Sequence, residues 1–184
     1  MSTPAVPALA SSFGCLRALT VHDAPSLQRH AHDLAVSRNL FDGFPSPYTL
    51  ADAQGWCDVG CRSAAMGYVW GVDVKGEVVG CVGVRPEDGC FRCNAEVGYW
   101  IGQDFWHRGI TSEALALVTA WAWSNLPELQ RLYAPIFAWN EDSQAVARKC
   151  GYFKEAELRR SAIKNGQVID RVQWACIRSD TPAR

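Results

Sequence analysis

The spacing of apolar residues along this chain alternates between two periods, which divides the chain into helices and strands. In some segments apolar residues recur every three to four positions, as at Ala114, Leu117, Val118 and Trp121, which form one stripe of a helix. In others they alternate with polar residues, as in half-buried strands. In chain order, the pattern predicts a strand over 15–20, helices over 23–36 and 49–60, strands over 67–75, 78–84 and 94–101, a helix over 111–124, a strand over 131–138, a helix over 140–150, and strands over 152–159 and 168–178.

Turn signals and one proline indicate how these elements connect. Gly76 lies in a tight turn between the second and third strands, and Asn165-Gly166 is a strong hairpin signal before the last strand. A helix separates the strands over 94–101 and 131–138, so these two are parallel through a right-handed crossover. Pro135 has no N–H, and its strand is predicted to be unpaired along one side. The predicted fold is mixed α/β, with a mostly antiparallel sheet of about seven strands and about four helices.

Composition limits the domain count and the classes of partner. The chain has 184 residues, of which 48% are hydrophobic, and this suits one domain over residues 13–178 between a flexible segment at 1–12 and a flexible tail at 179–184. Eighteen basic residues nearly balance nineteen acidic ones, so no basic field exists to attract nucleic acid or a membrane surface. No charged leader precedes an apolar run and no apolar stretch reaches roughly 20 residues, so a cytoplasmic protein is the expectation.

The eight cysteines are expected to be reduced thiols, because the chain has none of the marks of a small secreted disulfide scaffold. Cys90 and Cys93 have the spacing of a zinc or redox pair. They lack a second pair and lie in a hairpin loop, so the prediction is that no metal is bound. Zinc in this loop remains an alternative.

The residues from Glu96 to Ala114 predict an anion site, because they form a strand, a tight turn and a helix start. The first N–H groups of a helix have no partners inside it, and the aligned peptide dipoles add partial positive charge. Gly109 lets the backbone approach a ligand closely, and Thr111 and Ser112 are good capping residues with extra donors. Taken alone, the same pattern also fits a plain turn.

Several blocks of sequence carry a resemblance to a known family. In order, they are the strand over 95–102, the turn before Gly109, the Glu113-Ala114 helix start and the block Asn140-Glu141-Asp142-Ser143 leading to Lys149-Cys150-Gly151-Tyr152. These blocks resemble the GNAT superfamily of acetyl-CoA-dependent N-acetyltransferases, and closely the branch of RimJ and RimL. The upstream blocks Arg38-Asn39-Leu40 and Phe44-Pro45-Ser46-Pro47-Tyr48-Thr49 and the downstream residues Gly166 and Asp170 extend the resemblance to about residues 14–178.

The resemblance implies that acetyl-CoA binds between the two parallel strands, which part in this family. The family's phosphate-binding pattern falls on residues 106–111, where only Gly109 matches and Trp106 and Thr111 depart from it. We therefore expect the backbone, more than the side chains, to hold the phosphates. The implied cofactor-binding residues are Tyr99, Trp100, Ile101, Trp106, His107, Arg108, Gly109, Ile110, Thr111, Ser112, Asn140 and Ser143. Asn140 is also a plain helix cap by its position.

The resemblance also implies catalytic roles, although two family positions are changed. The position of the usual acid tyrosine is Ala147, and that of one glutamate base is Pro135. Ser143 is the substitute expected in the RimL-like branch, and Glu96 or Asp170 remains as the base. A bulge near residues 98–100 would direct a backbone N–H at the thioester carbonyl, where such a donor contributes roughly 3 kcal/mol.

Phe44, Tyr48 and Asp170 are expected to bind the acceptor. The implied reaction is direct acetyl transfer to a primary amine in a ternary complex, with a protein N-terminus or a small amine as acceptor. A coenzyme A-binding sensor or scaffold with weak catalysis is the alternative, suggested by Thr111, Ala147 and Pro135 at pattern positions. Dimers are common among similar proteins, and a homodimer is an open expectation.

Overall fold

One eight-stranded sheet runs through the computed structural model, which describes residues 6–178. The spatial order is β1-β2-β3-β4-β5-β6-β8-β7, and every neighbouring pair is antiparallel except β5 and β6. The predicted mixed sheet with a single parallel pair is confirmed. In chain order, the strands are β1 (Leu9–Ala10), β2 (Gly14–Arg17), β3 (Tyr68–Val74), β4 (Glu77–Pro86), β5 (Asn94–Ile101), β6 (Arg131–Phe137), β7 (Phe153–Lys164) and β8 (Gln167–Ile177).

Five α-helices flank the sheet in the described part of the chain, one more than predicted. The extra helix arises because the predicted helix over 23–36 is broken near Asp33, whose side chain accepts a 2.7 Å hydrogen bond from the Ala35 N–H and starts a new helix. None of the helices within residues 6–178 is both long and apolar enough to cross a membrane. The helices are α1 (Ala24–Ala31), α2 (Leu34–Ser37), α3 (Leu50–Asp58), α4 (Ile110–Asn125) and α5 (Glu141–Lys149).

The N-terminal segment contributes an edge strand to the sheet. Leu9 and Ala10 pair with Leu16 and Cys15, so part of the segment predicted as flexible over 1–12 has regular structure. This also raises the strand count from the predicted seven to eight. Residues 1–5 and the predicted flexible tail over 179–184 lie outside the described residues.

Apolar side chains form a core on each face of the sheet. On one face α4 packs against β4, β5 and β6, with Leu115, Val118 and Leu132 fully buried. On the other face α1 and α3 cover β4, with Leu27 and Val78 fully buried. Burial of each such side chain contributes about 1.5–3 kcal/mol, so both helix layers are firmly attached to the sheet.

The parallel strands β5 and β6 part after a short paired region. Their pairing ends at Glu96 and Tyr133, while β5 continues beside β4 and β6 continues beside β8. Backbone groups of β6 alternate between its two neighbours, and Gln130 accepts a hydrogen bond from Arg178 on the β8 side. Pro135 is an odd number of residues from Gln130, so its backbone is directed to the opposite edge, towards the gap. Among the described residues no strand lies there to accept a hydrogen bond, and the missing N–H of proline therefore costs none. The prediction that this strand is unpaired along one side is confirmed for the part of β6 after Tyr133.

Candidate functional site

The gap between β5 and β6 opens into a cleft of about 1040 Å³ that reaches from the start of α4 to the aromatic segment before α3. Most residues predicted from the sequence as site residues line this one cleft. Arg108 and Asp170 do not. Those that do are Phe44, Tyr48, Glu96, Tyr99, Trp100, Ile101, Trp106, His107, Gly109, Ile110, Thr111, Ser112, Asn140 and Ser143.

The first turn of α4 presents free backbone donors to one end of the cleft. Gly109 precedes the helix with φ 79° and ψ −8°, and no side chain caps the helix. The first N–H bonded within the helix is that of Glu113, which donates to the Gly109 carbonyl at 3.1 Å. The N–H groups of Ile110, Thr111 and Ser112 thus have no partner inside the helix. A Cβ built on Gly109 would meet no atom within 4 Å, so the space before these donors is open.

Side chains of the turn before α4 hold that turn in place without bonding to the free backbone N–H groups at the start of the helix. The Trp106 indole N–H donates to the Ile101 carbonyl at 2.9 Å, which ties the turn to the end of β5. The Arg108 guanidinium lies over the ring of Phe105, 5.1 Å from its centroid. The exposed Arg108 side chain packs on its own turn and is not among the residues that line the cleft, so its place beside a phosphate stays a prediction. His107 is exposed, with φ 57°.

The edge of β5 that faces the gap supplies further backbone groups. The Gly102 N–H donates to the carbonyl of Val79 on β4 at 2.8 Å. Successive residues of a strand direct their peptide groups to opposite edges, so residues an odd number of positions from Gly102 face away from β4. The N–H and C=O of Tyr99 therefore face the gap. The predicted bulge near residues 98–100 is wrong, because β5 pairs with β4 from Ala95 to Ile101 without a register shift. Strand alternation alone aims the Tyr99 peptide into the cleft.

The start of α5 closes the opposite side of the gap. The Asn140 side chain accepts a 3.1 Å hydrogen bond from the Ser143 N–H and so caps the helix. The Tyr99 hydroxyl donates to the Ser143 carbonyl at 2.9 Å, which ties β5 to α5. Burial raises the pKa of Tyr99, and a hydrogen bond with the Ser143 side chain partly opposes that shift. Ala147 on the same helix is fully buried.

The two predicted carboxylates have different surroundings. Glu96 lines the cleft and forms an ion pair with Arg85, its cross-strand neighbour on β4. Asp170 instead accepts a 2.6 Å hydrogen bond from the backbone N–H of Arg160, a residue with φ 50° at the irregular pairing of β7 and β8. Its carboxylate supports that irregularity and is not among the residues that line the cleft, so its role as a base and acceptor contact stays a prediction. Arg85 was missed because it is a partner of Glu96 only through strand register.

Aromatic rings form a wall at the far end of the cleft. Phe44 stacks on Tyr48 with ring centroids 4.8 Å apart, and the edge of Phe44 meets Trp100 at 5.6 Å. Tyr48 is 4% exposed, and burial raises the pKa of its hydroxyl. The Trp100 ring packs against the α1 and α3 layer, so it belongs to this wall more than to the cofactor side of the strand.

Two contacts not predicted from the sequence tie the segment before Phe44 to distant parts of the chain. The Trp139 indole N–H donates to the Asn39 side chain at 3.1 Å, and Lys164 forms an ion pair with Asp42 at 3.1 Å. Both link segments more than 99 residues apart in the chain. No local sequence signal could have indicated them.

Cys90 and Cys93 lie in and beside a short turn before β5, and both are free thiols. They border a small hollow of about 290 Å³ with Arg92 and Glu128. Across residues 6–178, no group of three or more His, Cys, Asp or Glu side chains is arranged to hold a metal ion.

Comparisons with known proteins agree with this geometry. The chain is 31% identical over 114 residues to the uncharacterized N-acetyltransferase YoaA of Bacillus subtilis, a match that covers 61% of this chain and 63% of YoaA. It spans about three fifths of the length of the curated relatives it matches.

Solved structures of low sequence identity share the fold. Mycobacterium smegmatis RimJ, in complex with CoA-disulfide, superposes with a TM-score of 0.80 at 23% identity, covering 92% of this chain and 84% of that one. The ribosomal-protein-S5-alanine acetyltransferase of Vibrio fischeri gives 0.79 at 17% identity, covering 96% and 100%. The family model described as an acetyltransferase (GNAT) domain matches residues 15–152, and the chain belongs to this family.

Proposed function

We propose that this protein transfers the acetyl group of acetyl-CoA to a primary amine while both substrates are bound. One observation carries the proposal: β5 and β6 part after Glu96 and Tyr133, and the gap has free backbone donors along one strand and at a helix start. Such a gap fits a long, thin molecule with amide groups at one end and phosphates at the other. RimJ of Mycobacterium smegmatis, which shares the fold, was solved with a coenzyme A disulfide.

The residues fit coenzyme A at two points. The N–H groups of Ile110, Thr111 and Ser112, with the positive end of the α4 dipole, would hold the pyrophosphate. The peptide of Tyr99, on the free edge of β5, would pair with an amide of the pantetheine arm. Bound acetyl-CoA supplies the acetyl group as a thioester, whose carbonyl oxygen gains negative charge under attack.

Proton transfers determine which side chains the reaction needs. An alkylammonium loses one proton to become a nucleophile and a second on becoming an amide. One of these protons ends on the departing thiol and the other leaves with solvent. Ser143, which lines the cleft beside the Tyr99 phenol, can donate a hydrogen bond from its hydroxyl to the departing sulfur. Glu96 is the carboxylate beside the parted strands that can bind the ammonium and accept its proton directly or through water.

Gly109→Glu tests the cofactor assignment. The new carboxylate would fill the open space before α4 with bulk and negative charge, so we expect the dissociation constant of acetyl-CoA to rise at least about tenfold in calorimetric titration. Gly89→Glu is the matched control, because Gly89 also has a positive φ of 55° and open space around its Cβ, yet lies outside the cleft lining. Equal affinity of both variants and the wild type would refute the assignment.

Thiol release from acetyl-CoA, measured with a panel of amines and N-terminal peptides, tests the transfer itself. Turnover with any of these acceptors supports an N-acetyltransferase. Tight acetyl-CoA binding without turnover on any acceptor would instead favour a sensor or scaffold.

A further inference from the structure

Two glycines form a bare patch on the floor of the cleft. Gly83 on β4 and Gly98 on β5 lie directly opposite each other, and both line the cleft. Because strand residues two apart share a face, Gly98 lies on the same face as Trp100 and Glu96. The floor therefore has a ring at one end, bare backbone in the middle and a carboxylate at the other end.

Backbone conformation does not explain these glycines. Neither Gly83 nor Gly98 has a positive φ, so the backbone conformation does not require glycine at either position. A Cβ on Gly98 would meet no atom within 4 Å, and one on Gly83 would approach the Tyr68 carbonyl oxygen at 3.0 Å. Glycine in a strand interior weakens the strand and often marks a close approach of a ligand. Gly98 therefore has no structural need to be glycine, and a ligand lying on the floor accounts for it.

The ends of the patch indicate the shape of that ligand. The Cα atoms of Glu96 and Trp100 are four residues apart on one strand, roughly 13 Å. Trp100 meets the edge of Phe44, which stacks on Tyr48, so the ring end offers aromatic faces and edges. The distance suits one planar ring joined by a short chain to an amine at Glu96.

The charges beside the patch exclude a polycation. Three carboxylates line the cleft within residues 6–178: Asp52, Glu96 and Asp142. Asp52 accepts hydrogen bonds from the Thr49 N–H at 2.8 Å and the Thr49 hydroxyl at 2.6 Å, and Asp142 is on α5 across the gap. Glu96 is left as the single carboxylate at the floor, and its charge is already paired with Arg85. A polyamine or aminoglycoside would leave most of its charges without partners.

We infer that the acetyl acceptor is a primary amine on an uncharged aromatic body, which lies on the backbone of Gly83 and Gly98 with its ammonium at Glu96. The inference rests on the proposed function, since it names the acceptor of that reaction. The amine nitrogen forms the new bond to the acetyl carbon as the carbon–sulfur bond breaks. The uncharged body packs against Trp100 and Phe44.

The test uses 2-phenylethylamine as the probe, with spermidine, kanamycin and an alanine-initiated hexapeptide as competing acceptors. We expect kcat/KM for 2-phenylethylamine to exceed that of each competitor at least tenfold. Gly98→Val should raise both its KM and its dissociation constant, measured by calorimetry with coenzyme A present, at least tenfold. Acetyl-CoA affinity should stay within twofold. Gly55→Val, on α3 outside the cleft lining, is the control, because its added Cβ also meets no atom within 4 Å.

Each other outcome refutes a defined part of the reasoning. Preference for spermidine, kanamycin or the peptide would overturn the acceptor class while leaving acetyl transfer intact. Unchanged 2-phenylethylamine binding in Gly98→Val would overturn the glycine floor. Binding of acetyl-CoA without turnover on any of the four acceptors would overturn both the acceptor class and the proposed function.

Discussion

Replacing Tyr99 by phenylalanine tests whether the tie between β5 and α5 contributes to turnover. The Tyr99 hydroxyl donates to the Ser143 carbonyl at 2.9 Å across the parted strands. Phenylalanine keeps the ring and removes the hydroxyl that makes this bond. Ser143 lies in the first turn of α5, so its carbonyl still accepts the hydrogen bond from the backbone N–H four residues later in the helix. The substitution therefore leaves no buried carbonyl without a hydrogen bond.

The magnitude follows from the loss of one neutral hydrogen bond. Such a bond contributes about 1 kcal/mol net, so Tyr99→Phe should lower the free energy of unfolding by about that amount. If the bond also holds Ser143 in position for the reaction, the same energy corresponds to about a fivefold loss in kcat. The KM for acetyl-CoA should change little, because the Tyr99 peptide that faces the gap is unaltered.

Tyr152→Phe is the matched control. The Tyr152 hydroxyl is hydrogen-bonded to Thr119 at 2.8 Å in the core, away from the cleft lining. Burial raises the pKa of both phenols, so both are protonated at any ordinary assay pH. Urea unfolding and steady-state kinetics on both variants separate the effects. If the two lose equal stability and both keep wild-type kcat, Tyr99 has no role in positioning Ser143.

Two further predictions concern other parts of the molecule. Ser143→Ala should lower kcat about tenfold with little change in acetyl-CoA affinity, since one hydrogen bond to the departing sulfur is lost; weaker binding at unchanged kcat would make Ser143 a cofactor contact. Arg17→Gln should cost about 3 kcal/mol at pH 7, because Asp23 and Asp73 are left buried without their partner. Burial raises the pKa of Asp23, but hydrogen bonds from Arg17 and Thr20 outweigh it and hold that pKa below its usual value. The wild-type advantage is thus complete above about pH 4 and is lost as the pH falls through the lowered pKa. Urea midpoints from pH 7 to pH 3 that stay parallel for the two proteins would contradict this.

Local signals were sufficient for several elements around the cleft. Thr49 and Asp52 form the capping box of α3, and Gly166 turns the last hairpin with a φ of 77°. In these cases the residue that specifies the structure lies within three or four positions of it. Gly109 before α4 and Pro135 in β6 are of the same kind.

Features that depend on strand register or distant contacts could not be predicted. Asp170 was expected in the cleft from its place near the hairpin, but an irregularity in β7 puts the Arg160 N–H within 2.6 Å of it. Glu96 was found, whereas its partner Arg85 appears only when β4 and β5 are aligned residue by residue. The bare floor likewise depends on two glycines 15 positions apart in the chain.

The period of one strand explains how β5 lines both the floor of the cleft and the gap beside β6. Successive residues of a strand direct their side chains to opposite faces, and their peptide groups alternate between opposite edges. Gly98 and Trp100 thus face the floor of the cleft, while the peptide of Tyr99 faces the gap between β5 and β6 and its hydroxyl reaches α5. A slip of one residue would exchange these roles and bury Glu96 in the core. The unbroken pairing of β4 with β5 from Ala95 to Ile101 prevents that slip, so the continuity of this ladder maintains the chemistry of the cleft.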